Sequence, residues 1–285
     1  MTEFTMVIND QEMKKLKTVY HEQLTNISNQ LVFFNAIHNS VEITGFTSGK
    51  LLIEGDNVDA EIELIKKVLN HRDFEAIGSN EVGSEDVFGP ITVCAAYVSL
   101  DDLKFLEELI SDDAKLLTDR FIIKHAPKIA KRLTHSLIIL DPIKYNKLIS
   151  EGYNLNRIRA HLHNQALVSL TDKLDNREMP VLVDQFCTPQ LYFNYLKDEI
   201  LIYRDVQFYP KAENIHIAVA AAKIIARYAF LYSMQNLNKK AGVRLLKGSS
   251  KKVDDQLEEL VRTHGKAILK QVSKTNFKNV TKLNL

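Results

Sequence analysis

Residues 77–90 read Ile-Gly-Ser-Asn-Glu-Val-Gly-Ser-Glu-Asp-Val-Phe-Gly-Pro, and the next eight read Ile-Thr-Val-Cys-Ala-Ala-Tyr-Val. The second run is apolar and β-branched enough to be a buried strand. Phe74-Glu75-Ala76-Ile77 leads into the first stretch as a shorter strand. Gly78, Gly83 and Gly89 mark bends or close backbone approaches, and Gly89-Pro90 is a turn signal. The pattern places the polar pair Asn80-Glu81 at a strand end, beside backbone that another group can approach. Taken alone, the stretch fits a plain hairpin as well as a site.

With 285 residues the chain can bury a sizeable core, and two domains are expected. Its 37 Lys+Arg and 36 Asp+Glu leave a net charge of +1, so any nucleic-acid surface must be a local patch. Cys94 and Cys187 lie in apolar, strand-like settings without metal-ligand spacing, as buried free thiols in a reducing compartment would. The first residues lack the regions of a signal peptide. Lys223 and Arg227 interrupt the longest apolar run, residues 217–232, so it is not read as a membrane span. The expectation is a soluble cytoplasmic protein with no membrane partner.

Before residue 77 the pattern reads strand, helix, three strands, helix. Residues 4–8 form a short strand. Asp10 is expected to cap a helix running to about Leu24, with Glu12 in its first turn. Residues 31–36, 41–46 and 50–54 read as strands, with Ser48-Gly49 as a hairpin turn between the last two. Val58, Ile62, Ile65 and Leu69 then fall on one face of a second helix. Further on, residues 100–109 and 142–151 read as helices, 136–140 as a strand, and a long helix opens near Tyr153. Residues 181–186 form a strand ending on a carboxylate, where open α/β sheets place their chemistry. An apolar helix follows from Ile217.

Several stretches resemble bacterial ribonuclease HIII, a type 2 ribonuclease H with an extra N-terminal domain. Residues 80–90 are similar to the family signature Asp-Glu-x-Gly-(Ser/Thr)-Gly-Asp-Tyr-Phe-Gly-Pro and keep Glu81, Gly83, Ser84, Asp86, Phe88, Gly89 and Pro90. Residues 43–55 resemble the family's TATA-binding-protein-like domain, residues 113–119 its Asp-Ser-Lys-x-Leu-Thr-Asp loop, and 152–167 its Gly-Tyr-Asn…Leu-His-Asn-x-Ala helix. Asp184-Gln185-Phe186, Lys211-Ala212-Glu213, Ala218–Arg227 and Lys247-Gly248 also match. The departures are Asn80 for an aspartate, Glu85 for a glycine, Ala114 for a serine and Lys223 for a serine.

The resemblance implies an α/β fold: a ribonuclease H-like mixed sheet flanked by helices, preceded by a small α+β TATA-binding-protein-like domain. The expected division is 1–70 for substrate binding, 71–76 as linker and 77–285 for catalysis. The implied activity is cleavage of the RNA strand of RNA/DNA hybrids by two Mg²⁺ or Mn²⁺ ions, held and used catalytically by Asn80, Glu81, Asp184 and Glu213. Gly83 and Ser84 would approach the 2′-hydroxyl, Lys115 the nucleic-acid backbone, and Phe46 and Lys50 the hybrid from the N-terminal sheet. Phe46 as core and Lys50 as a solvated charge is the bland reading of that pair. His163-Asn164 is read as structural or substrate-side, not as ligands.

Asn80 is the main departure. In the family this place bridges both metals, and a neutral amide oxygen is a weaker bridge. Severely reduced activity is expected, and Glu85 crowds the 2′-hydroxyl turn. The alternative is a non-catalytic hybrid-binding protein on the same scaffold. Glu85 or Asp86 replacing the lost charge is a further possibility. A regular strand points neighbours to opposite faces, so residues 80 and 81 are expected to share a site only where the strand ends or distorts. A monomer is expected.

Overall fold

The computed structural model describes residues 2–27, 29–56, 58–69, 74–110 and 118–283. The first part runs β1 (Thr2–Val7), α1 (Asp10–Val19), β2 (Val32–His38), β3 (Val41–Phe46), β4 (Lys50–Gly55) and α2 (Val58–Leu69). The second part begins with β5 (Ala76–Val82), β6 (Ile91–Val98), α3 (Leu100–Leu109), α4 (Asp119–Arg132), β7 (His135–Leu140), α5 (Pro142–Ser150) and α6 (Leu155–Lys173). It continues with β8 (Val181–Asp184), α7 (Pro189–Tyr195), β9 (Gln207–Tyr209), α8 (Ile217–Ala241), α9 (Lys251–His264), α10 (Leu269–Val272) and α11 (Lys278–Thr281).

The first sheet is antiparallel, in the order β1-β4-β3-β2. Its inner side chains, among them Phe4, Met6, Ile43 and Ile53, pack on Met13 and Leu16 of α1 and on Val58, Ile62, Ile65 and Leu69 of α2. The second sheet has the order β7-β6-β5-β8-β9. Its β7, β6 and β5 are antiparallel, whereas β5, β8 and β9 run parallel. Helices cover both its faces, which is why β6 is buried at nearly every position. Val93 and Ala95 meet α6, while Cys94 and Ala96 meet α4 and α8. The small residues at the start of α8 let it lie almost on the sheet. A Cβ on Gly78 would come within 2.2 Å of the Val219 nitrogen, so this strand position has room only for glycine.

The two sheets meet edge to edge. Gln207 of β9 accepts from the Thr5 N–H at 3.0 Å, and its amide nitrogen donates to the Thr5 hydroxyl. A side chain thus covers part of the β1 edge that would otherwise invite another strand. Tyr209 donates to the Glu3 carbonyl at 2.9 Å. Leu182, Tyr209, Ala212 and Val219 belong to the same hydrophobic cluster as Phe4 and Ile53. Of the expected linker, residues 71–73 lie outside the described residues, Phe74 is buried edge-on to Phe4, and Ala76 already belongs to β5.

Three local expectations are corrected. The first helix is capped by Asn9, not Asp10: Asn9 Oδ1 accepts from the amides of Gln11 and Glu12, and Glu12 returns the bond. That helix stops at Val19, and residues 21–23 form a separate 3₁₀ turn. The β3–β4 loop is the three residues 47–49, with Gly49 at φ +89°. The pattern also gave no element to residues 119–132, 189–195 or 207–209. Pro127 inside α4 hides a helix whose buried face is Ile122, Ala126 and Ile129. The other two are too short to show a period. Cys94 is fully buried as expected, but Cys187 is only half-buried.

Candidate active site

The polar centre sits where two neighbouring strands part. β5 stays paired with β6 as far as Val82↔Thr92, but with β8 only as far as Ser79↔Val183. Beyond that point a cavity of about 530 Å³ opens, lined in part by Asn80, Glu81, Asp184, Arg159 and Lys223. β5 remains regular through residues 80 and 81, contrary to the expected distortion. Alternation puts Asn80 on the Gly78 side, facing α8, and Glu81 on the Ser79 side, facing α6. Both reach one cavity because the gap beside β5 is open to both faces of the sheet.

Glu81 is fully engaged. One carboxylate oxygen takes a hydrogen bond from Arg159 Nη2, and the other lies 2.7 Å from His163 Nε2. His163 is buried, contacts Ser79 Oγ through Nδ1 at 2.8 Å and stacks on Phe186, while Arg159 lies over the same ring. Burial pushes the Glu81 carboxyl up, but the hydrogen bonds and charges of His163 and Arg159 outweigh it and hold the group below the usual carboxylate range. His163 and Asn164 are structural here: Asn164 donates to the Leu201 carbonyl and accepts from the Tyr203 amide. Arg159 was missed in the sequence. Its signal was the i,i+4 spacing to His163, which puts both on one face of α6.

Asn80 is buried, and its Oδ1 accepts from the Glu81 backbone N–H at 2.7 Å. Its Nδ2 has no partner. One lone pair of the amide oxygen is thus used and the donor end is left over, so residue 80 presents a neutral, partly engaged oxygen. Asp184 ends β8 and accepts from the Ala212 amide at 3.1 Å. Burial raises its carboxyl pKa first and the charge of Glu213 second, with Glu81 adding and the Ala212 amide and Lys223 opposing. Glu213 lies in the 3₁₀ turn before α8 and is paired through Oε1 with Lys223 at 2.8 Å, while its Oε2 is buried without a partner.

Acceptors without a protein partner are therefore left on one side of this centre. Asp184 and Glu213 keep a raised carboxyl and an orphaned oxygen, which an oxygen-seeking ion would satisfy. On the other side Asn80 is neutral and Glu81 is already paired. Among the described residues, no three His, Cys, Asp or Glu side chains are gathered as a metal-holding group. Of the expected set, Asn80, Glu81 and Asp184 line one cavity, and Glu213 and Glu81 both lie close enough to act on the Asp184 carboxyl; Glu81 is paired with Arg159 and His163, and residue 80 is an amide.

The glycine turn is held from three sides. Gly83 (φ +94°) and Gly89 (φ +91°) take a backbone form that favours glycine, and a Cβ on Gly83 would meet the Pro90 carbonyl at 2.2 Å. Asp86 accepts from the Gly248 amide at 2.6 Å and so docks the Lys247-Gly248 loop against the turn. Lys274 is completely buried and donates to the carbonyls of Asp86 (2.6 Å) and Gly89 (2.8 Å). The Ser84 and Glu85 amides donate to no group among the described residues and lie at the cavity wall. Asp119, also on that wall, is paired with Arg227 at 3.0 Å and with Lys247.

Phe46 is half-buried and outside the N-terminal core, and Lys50 is exposed. Alternation puts both on the open face of the first sheet. The same face carries Glu42, Glu54 and Glu3 in register across three strands. Burial, then Glu3 and Glu42, raise the Glu54 carboxyl pKa. The open face is thus acidic across its middle, with Lys50 adding positive charge at the Phe46–Lys50 end. Lys115 falls in residues 111–117, outside the described residues.

Comparison with known proteins agrees with this architecture. Residues 77–280 match the family model for Ribonuclease HII, and residues 3–71 match a domain of unknown function (DUF3378). The chain is 42% identical over 284 residues to Ribonuclease HIII of Phytoplasma mali (strain AT), covering 99% of this chain and 98% of that one. It is 37% identical to Ribonuclease HIII of Bacillus subtilis (strain 168), covering 94% and 92%. The crystal structure of Bst-RNase HIII in complex with Mn²⁺ superposes with a TM-score of 0.71 at 33% identity, over 99% of this chain and 97% of that one. On its fold and on these matches, the chain belongs to the ribonuclease HIII family of ribonuclease H-type hydrolases.

Proposed function

We propose that this chain engages RNA/DNA hybrids and cleaves their RNA strand, with an activity severely weakened by Asn80. The observation that carries the second half is the Asn80 amide, whose oxygen is bound to the Glu81 N–H and whose nitrogen has no partner. A divalent ion, Mg²⁺ or Mn²⁺, would be held by Asp184 and Glu213 and would supply Lewis-acid polarisation and an activated water. The likeness to a relative solved with Mn²⁺ supports that choice of ion. This chain's own residues do the rest. The free amides of Ser84 and Glu85 offer donors to a 2′-hydroxyl, the feature that separates RNA from DNA. Phe46 and Lys50 offer a stacking surface and a phosphate contact on the open sheet. In this reading residues 1–70 grip through the open face of their sheet, opposite α1 and α2, and residues 77–285 cleave, in a cytoplasmic monomer.

A second reading, a hybrid-binding protein without cleavage, is favoured by the pairing of Glu81 with Arg159 and of Glu213 with Lys223. The deciding experiment is cleavage of a labelled RNA/DNA hybrid with Mg²⁺ and with Mn²⁺, by this chain and by Asn80→Asp side by side. The proposal expects weak cleavage that rises sharply in the variant. Hybrid binding without cleavage by either protein establishes the second reading.

A further inference from the structure

The chain's net charge of +1 requires any nucleic-acid surface to be local, and the structure shows one that the pattern of the sequence hid. α4 carries Arg120, Lys124, Lys128 and Lys131 on exposed positions. At 3.6 residues per turn these four fall in one stripe, opposite the buried Ile122, Ala126 and Ile129. None of the four makes an ion pair among the described residues, whereas the neighbouring Arg132 is bound to Asp102 at 2.6 Å. The acid of this helix, Asp119, is already matched by Arg227 and Lys247. A helix face that only needs solvation mixes the signs of its charges. Like charges four residues apart destabilise a helix instead. Their crowding is felt locally: burial, then Lys124 and Lys128, lower the pKa of His125.

The stripe also begins at the end of α4 nearest the cavity. Asp119, next to Arg120, is part of the cavity wall, which Ile122 reaches from the buried face of the helix. From Arg120 to Lys131 the stripe leads away from that wall for roughly 16 Å at 1.5 Å per residue. We infer that the exposed Arg120–Lys124–Lys128–Lys131 face of α4 is a phosphate-tracking surface for the part of the RNA/DNA hybrid that continues beyond the cavity. This rests on the hybrid reading above and adds to it a contact surface outside the glycine turn and the N-terminal sheet. The stripe contributes affinity and orientation, and no base or sugar selectivity.

The test is hybrid binding by fluorescence anisotropy across a salt series. The variants are Lys124→Glu/Lys128→Glu, its neutral form Lys124→Gln/Lys128→Gln, and Lys14→Glu/Lys15→Glu on the exposed side of α1 as a charge-matched control. Each phosphate contact contributes about 0.9 to the slope of log affinity against log salt. Both α4 variants should therefore show a slope shallower by roughly 2 and an affinity at least about tenfold lower at low salt, while the α1 control keeps the slope of the unchanged chain. The neutral pair keeps the result interpretable if charge reversal perturbs the helix, and circular dichroism reports that directly. Equal slopes in the unchanged chain and both α4 variants, or an equal change in the α1 control, overturn this inference alone. No hybrid binding by the unchanged chain overturns the hybrid reading and this inference together.

Discussion

The two sides of the cavity are wired differently. On the β5–α6 side every oxygen of Glu81 is spoken for, by Arg159 and His163, and His163 is itself fixed by Ser79 and Phe186. On the β8–α8 side Asp184 has one backbone donor and a raised carboxyl, and Glu213 keeps an oxygen without a partner. The first side is neutralised within the protein, and the second is still short of positive charge. The difference teaches that a row of acids in a sequence does not make a metal centre. What matters is which acids the fold leaves unsatisfied. A buried carboxylate either finds protein cations or keeps its affinity for external ones.

The largest expected effect comes from restoring the charge that β5 lacks at residue 80. Asn80→Asp should raise hybrid cleavage by on the order of 10²-fold or more, since a metal contact is worth several kcal/mol and each 1.36 kcal/mol is tenfold. Adding Lys223→Ser should raise Mn²⁺ affinity further, measured by calorimetry without substrate, because Glu213 Oε1 then also becomes available. A gain from Lys223→Ser that equals or exceeds that from Asn80→Asp would reverse the comparison, placing the deficit on the β8–α8 side.

Next is the turn next to the engaged side. Lys274→Met removes the donor to two buried carbonyls and should cost about 1–3 kcal/mol in chemical unfolding. Burial lowers the Lys274 pKa to about 7, far below that of a free lysine. The unfolded chain then holds the proton more tightly than the folded one. The burial penalty is present in full below pH 7 and relaxes as pH climbs toward the ordinary lysine range. The native protein should therefore gain stability from pH 7 to 9 relative to Lys274→Met. A constant difference over that range would mean that the ammonium is not desolvated as described.

Arg159→Ala probes the engaged side itself and should destabilise by about 1–3 kcal/mol, His163 remaining as partner. The sign for pH follows from the lowered carboxyl of Glu81. Its contribution is present above the ordinary glutamate range and is lost as pH falls through the depressed value. Removing Arg159 should move acid unfolding to higher pH, read by circular dichroism; an unmoved midpoint would show that His163 alone holds Glu81. The smallest effect is expected for Gln207→Ala, about 1 kcal/mol, because it removes one side-chain cover from the β1 edge and leaves the cavity as it is. A larger loss there, by differential scanning calorimetry, would tie the N-terminal sheet to the site more tightly than the contacts suggest.

Much of this was legible in the residues. The apolar periods placed β3, β4, β6 and α2 to within a residue or two, because one-sided burial imprints a period on the chain. The order of motifs placed Asp184 at the end of its strand and flagged Lys223 as out of pattern, whereas Asn80 and Glu81, read at a strand end, lie inside β5. Other features carry no local signal. Pro127 conceals α4, and with it the basic stripe. The bond from the Gly248 amide to Asp86 joins residues 162 positions apart. Nothing around Arg159 in the sequence points to Glu81, which is 78 residues away.

The sequence by itself determined the family, the alternation of strands and helices, and the loss of one carboxylate at residue 80, since each is a property of residue identity and short-range period. Only the tertiary structure decided which remaining acids are satisfied, that residues 80 and 81 meet one cavity from opposite faces of an undistorted strand, and where the unpaired cations gather. Those depend on partners brought together by burial across the whole chain, and charge compensation in a folded protein is settled by distance in space and by exclusion of water.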